Sequence, residues 1–135
     1  MIETIKKDDE LIAIIIRSQK WDEGLHFFTP NESPLQIGIH HQPKNHHIEP
    51  HAHIPFDKEL IGCCAQEIFI IKSGSVSIGL WSKDDKYVKR VTLNRGDVIL
   101  LEGGHSVTFL EDTTLVEVKQ GIYRGKQKEK RMILK

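Results

Sequence analysis

An all-β sandwich or barrel is the fold class this sequence predicts, and three observations predict it. Short apolar or alternating runs recur at close spacing, Gly, Pro, Asn and Asp punctuate them, and no long 3.6-period segment separates them as a parallel crossover would require. The β-branched run at 11–18, "LIAIIIRS", opens the series. "LHFFT" at 25–29 follows and stops at the turn-rich "PNESP". At 35–41, "LQIGIHH" alternates Leu35, Ile37 and Ile39 against Gln36, Gly38 and His40, the period-2 pattern of a strand. "EIFIIK" at 67–72 leads into "SGS". "VSIGLW" at 76–81 and "YVKRVTL" at 87–93 flank "SKDDK", a hairpin signal because Ser and Asp side chains satisfy tight loops locally. "DVILLE" at 97–102, "SVTFL" at 106–110 and "TLVEVKQ" at 114–120 bring the count to nine strands.

The 135 residues fit one domain over 1–135, with a strand extension at 1–30, a motif core over about 35–120 and a basic tail at 121–135. Lys plus Arg and Asp plus Glu balance at 19 each, so no global charge points to nucleic acid. The longest apolar run, Leu11 to Ile16, is too short for a membrane span. No signal peptide is read at the N-terminus, and Cys63 and Cys64 are adjacent, a poor arrangement for a relaxed disulfide. The cytoplasm is the expected compartment. In the tail, a solvated segment or a last strand ending in "MIL" at a sheet edge is the preferred reading over a nucleic-acid or acidic-partner arm.

Chemistry concentrates in "HIEPHAHIPF", residues 47–56. His51 and His53 are two apart, so on a strand both imidazoles leave the same face. Glu67 heads an apolar strand, where a carboxylate needs a partner. His105 follows a double-glycine turn after another apolar strand. Three imidazoles and one carboxylate suit Fe(II), Mn(II), Ni(II), Cu(II) or Zn(II) and leave coordination positions open. His46 and His47 read as exposed loop residues, Cys63 and Cys64 as packing residues, and Trp21 and Trp81 as core or interface anchors. Gln36, Gly38 and His40 share a face that can wall a pocket. Glu117 and Lys119 share a face opposite Val116 and Val118, and either pair can face inward.

"HAH" at 51–53, "EIFIIKSG" at 67–74 and "GDVILLEGGH" at 96–105 resemble the two signature motifs of the cupin superfamily. Glu67 and Gly74 keep the Glu-to-Gly interval of the first motif; Gly96, Asp97 and His105 match the second. The resemblance implies a jelly-roll β-barrel, the double-stranded β-helix, with one divalent transition metal held by His51, His53, Glu67 and His105. Thirteen residues, "IPFDKELIGCCAQ", separate His53 from Glu67, more than the family pattern has, and this insertion is where specificity is expected. Glu102 stands in place of the usual proline, and Phe109 where an asparagine is common.

Two functions fit. One is an enzyme acting on a small oxygenated metabolite such as a sugar or keto acid, by isomerase- or dioxygenase-type chemistry, with Glu102, Glu117 and Lys119 as candidate acid/base groups. The other is a non-catalytic module binding a sugar or small acid, its metal structural or vestigial. The expected partners are a small-molecule ligand and, because jelly rolls expose sheet edges, a second copy of the chain in a homodimer; neither nucleic acid nor membrane is expected.

Overall fold

The alternation read from the sequence is the alternation of two facing five-stranded sheets. The structure is a computed structural model and describes residues 1–54, 65–121 and 130–133; among these there is no helix. Cys63, Cys64, most of the 54–66 insertion and most of the basic tail lie outside the described residues.

Strands β1 (Ile2–Lys7) and β2 (Glu10–Ile16) form a separate hairpin. One five-stranded sheet takes β3 (Gly24–Phe27), β4 (Leu35–Gln42), β11 (Thr113–Gln120), β6 (Glu67–Ser73) and β9 (Val98–Leu101), in that spatial order. The facing sheet takes β12 (Lys130–Met132), β5 (His47–His53), β10 (Gly104–Phe109), β7 (Ser75–Trp81) and β8 (Tyr87–Asn94). Every pairing is antiparallel.

Twelve strands replace the nine expected. Beyond those nine, β12 is the edge strand that the tail allowed, while β1 and β5 are rich in charge, histidine or proline, and their pairing is supplied by neighbours rather than by local pattern. The "SKDDK" turn forms as expected, with Asp85 left-handed at φ 59° and its N–H donating to the Ser82 carbonyl. Gly74 joins β6 to β7 at φ 85°, where a side chain would run into Thr113 and the Asp112 carbonyl.

The core lies between the sheets, built from Phe69, Ile71, Val76, Ile78, Leu101, Val107, Phe109 and Leu115. Trp81 is buried, as expected; Trp21 is half-buried against Phe28, ring centroids 5.2 Å apart. On the outer side of the first sheet, Ile37, Ile39 and Val116 meet Ile14 and Ile16 of the hairpin and Trp21. The open alternative on β11 is thereby resolved: Val116 faces out, and Glu117 and Lys119 face the barrel interior.

Candidate metal centre

Four side chains from three elements converge at one end of this interior. His51 and His53 lie on β5, Glu67 at the start of β6 and His105 on β10, all buried. His105 pairs directly with His51 across the β5–β10 ladder. Beyond that pair the register slips: Val107 faces Ile48, so three residues of β5 span two of β10. That extra residue is a β-bulge containing Pro50, which has no N–H to give a ladder. The bulge turns the end of β5 so that both imidazoles enter the barrel. His105 sits inside a strand rather than in the turn the sequence suggested, since β10 begins at Gly104.

The three imidazoles have ligand atoms within 4.8 Å of one another. His51 Nε2 and His53 Nε2 are 3.2 Å apart. His51 Nδ1 is 2.8 Å from the Glu49 carbonyl, which can only accept, so Nδ1 carries the hydrogen and Nε2 presents its lone pair inward. Glu67 Oε2 is 2.9 Å from His53 Nε2 and 3.2 Å from His105 Nε2. Both Glu67 oxygens are buried. Three buried imidazoles with ligand atoms this close are a group that could hold a divalent metal ion, and the Glu67 carboxylate lies against two of them.

Burial lowers the His51 pKa to about 3, with the neighbouring His105 acting in the same sense, so the ring is neutral and ready to ligate. Burial pushes the Glu67 carboxyl up, but hydrogen bonding from Glu117, His105 and His53 prevails and holds it well below the usual carboxylate range. Burial and then the Glu67 charge push Glu117 well above that range. His40, on β4, completes this group. Its Nδ1 accepts from the Gln42 amide at 3.2 Å, and its Nε2 lies 3.5 Å from Glu117 Oε1. Burial lowers its pKa to about 4.

A cavity of about 480 Å³ opens beside the cluster. Glu117 and Lys119, both singled out in the sequence, line it. Glu102 does not: it is exposed, one residue beyond the inward-facing Leu101, and accepts a hydrogen bond from Gln66 Nε2 at 2.7 Å. Its candidacy as an acid/base group is withdrawn on that geometry. Gln36 and His40 wall the cavity as the alternation suggested. His46 lines it too, although its exposure agrees with the loop reading. Lys130 was read only as part of a basic tail, yet it reaches the cavity because β12 pairs with β5 and sets it opposite the inward-facing His53. Nothing local in "KEKRMIL" carries that signal; its strand partner is far away in sequence.

Solved structures with the same architecture identify the class. An RmlC-like cupin protein from Desulfovibrio desulfuricans is similar with a TM-score of 0.57 at 11% identity, over 86% of this chain and 96% of that one. A single-substitution variant of oxalate decarboxylase from B. subtilis gives 0.61 at 15%, over 84% and 29%. Peruvianin-I, a cysteine peptidase from Thevetia peruviana latex, gives 0.56 at 12%, over 74% and 56%. The chain spans about half the length of peruvianin-I and less than a third of the oxalate decarboxylase. The fold is the cupin double-stranded β-helix, and at these identities the likeness is one of fold. No protein-family model and no curated protein sequence matches the chain. Among the described residues, no helix is long and apolar enough to cross a membrane.

Proposed function

We propose that this cupin-fold protein holds one divalent transition metal through His51, His53, Glu67 and His105 and acts on a small oxygenated metabolite, such as a sugar or keto acid, in the adjoining cavity. The observation that carries the reading is the meeting of three buried imidazoles with a fully enclosed carboxylate. When bound, the ion would supply Lewis acidity toward an oxygen of the ligand.

The remaining chemistry belongs to the chain. Glu117 is the acid/base group: burial and the Glu67 charge push its carboxyl well above the usual carboxylate range, and it borders the cavity beside Glu67. His40 lies on its far side and stays neutral, so it can orient the Glu117 carboxyl without competing for its proton. Phe69 and Val107 supply apolar wall, which strengthens electrostatic interactions inside. Isomerase-type and dioxygenase-type reactions both suit a metal beside a buried carboxyl with a raised pKa. The identity of the ion, among Fe, Mn, Ni, Cu and Zn, separates them.

Metal analysis of purified protein tests the site. Wild-type protein is expected to carry near-stoichiometric metal, and His51→Ala and His105→Ala to lose it. Unchanged metal in both variants would sink the ligand assignment. Turnover is tested with Glu117→Gln, which should keep the metal and lose the reaction.

A further inference from the structure

Away from the barrel interior, two histidines hold one short segment. Residues 17–23 link the hairpin, whose second strand ends at Ile16, to β3, which starts at Gly24. In that link the Trp21 carbonyl lies 2.7 Å from His41 Nδ1 on β4, and the Asp22 carbonyl lies 3.0 Å from His26 Nε2 on β3. A carbonyl can only accept, so each of these ring nitrogens carries a hydrogen.

His41 has a second tie. Its Nε2 lies 3.1 and 3.2 Å from the two carboxylate oxygens of Asp112, in the turn between β10 and β11. Those oxygens also accept. With an acceptor at each ring nitrogen the geometry fits the imidazolium, which donates at both. A neutral ring has one N–H and would turn a lone pair toward the other oxygen. One proton therefore joins β4, the link and the β10–β11 turn.

The hairpin depends on ties of this kind. No residue of β1 or β2 is buried, and a two-stranded hairpin is marginally stable by itself. Ile14 and Ile16 face Ile37, Ile39 and Val116 across a space of about 250 Å³. The Arg17–Glu3 ion pair, 2.9 Å long, closes the hairpin on itself and not on the barrel.

The charges facing the His41 ring are Asp112 from the turn and Glu23 from the link, both acidic. Arg17 and Lys72 line the groove under the hairpin with Trp21, and His26 is the titratable group on the adjacent strand. The Asp112 hydrogen bond raises the His41 pKa above its ordinary 6.5. Shallow burial works against that rise, and the Trp21 carbonyl and the Asp112 and Glu23 charges add to it. A folded value above the unfolded one means that the charged ring favours the closed arrangement below pH 6.5. That contribution is lost as pH climbs through the raised value.

We propose that His41 is a proton-operated clip for the N-terminal hairpin. While its ring is doubly protonated, the link and the hairpin are held against β4 and the β10–β11 turn. When the proton leaves, one tie breaks and the link comes away, uncovering Ile37, Ile39 and Val116 on the outer face of the sheet. The clip lies on the opposite side of that sheet from the imidazole cluster and does not rest on the metal reading.

Nuclear magnetic resonance of the wild-type protein tests the clip. The His41 ring signals, identified by their loss in His41→Gln, should titrate with a midpoint above 6.5, and Asp112→Asn should move that midpoint back toward 6.5. Amide hydrogen exchange across 17–23, corrected for its intrinsic dependence on pH, should report opening that rises through the same interval. The expected rise is about tenfold for each pH unit by which the midpoint exceeds 6.5. His41→Gln should show raised opening without that step, while β6 and β7 exchange as in wild type. A His41 midpoint at or below 6.5 overturns the proposal, as does opening of the link that ignores the His41 titration. A step shared by β6 and β7 is unfolding of the whole barrel and overturns it too.

Discussion

The two ends of the barrel interior are made by the same strands and do opposite things. Along β10 the inward residues run His105, Val107, Phe109; along β6 they run Glu67, Phe69, Ile71; along β11 they run Lys119, Glu117, Leu115. Each series begins polar at the cavity and ends apolar in the core. The ladders set Ile71 beside Leu115, Phe69 beside Glu117 and Glu67 beside Lys119, so the gradient is in step across neighbouring strands. One period-2 pattern thus serves as core at one end and as reactive site at the other. The difference teaches where stability and function part company: about two residue pairs along any central strand.

The largest expected effect is at the apolar end. Phe109 is fully buried against Val76 and Leu115, and Phe109→Ala should cost about 3–5 kcal/mol in denaturant unfolding. A loss below about 1 kcal/mol would show that this end is not the core. Next comes the polar end. A divalent ion at a hundredfold excess over its Kd should stabilise wild-type protein by about 2.7 kcal/mol. His53→Ala should abolish that increment, whereas Leu115→Ala should lower the baseline and keep it. If both variants lose the increment equally, the two ends are not separable.

A smaller effect is read through pH. The folded pKa of His40 is depressed, about 4 against an ordinary 6.5, so the unfolded chain binds the proton first. Its neutral form therefore contributes stability above pH 6.5, and that contribution is lost as pH falls toward 4, at up to about 1.4 kcal/mol per pH unit. Glu117 titrates in the opposite sense, its raised pKa favouring the fold at lower pH, so the difference between wild type and His40→Asn is the quantity to measure on metal-free protein. A parallel pair of stability curves between pH 6.5 and 4 contradicts the buried, neutral imidazole. The smallest effect marks the boundary of the site. Glu102→Ala removes an exposed hydrogen bond to Gln66 and should change stability by no more than about 0.5 kcal/mol and metal content not at all. Metal loss in this variant would return Glu102 to the site.

Much of this was legible because it is written with period 2. The alternation in "LQIGIHH" announces the cavity wall of β4, and His51 with His53 share a face for the same reason. What escaped depends on long-range pairing or on local register. The position of Glu102 turns on a single step past Leu101, and spacing alone does not say on which side of the sheet a strand end finishes. The seating of His105 rests on the bulge at Pro50, which belongs to a strand more than fifty residues away. His40 looked like wall and not like a proton-relay neighbour, because its tie to Glu117 joins β4 to β11 across the ladder. β12 is nearly all charge, and only its partner β5 makes it a strand.

The bulged β5–β10 pairing has a kinetic consequence. His51 and His105 meet only when segments distant in sequence have docked, a slow class of event in folding. A lone His-x-His pair is a poor trap for an ion, so the barrel closes before the site exists. Capture of metal at the proposed site would then be a late step that adds little to the rate of refolding. Its weight would fall on the reverse path, because unfolding must separate the two strands that an ion between His51 and His105 would tie together.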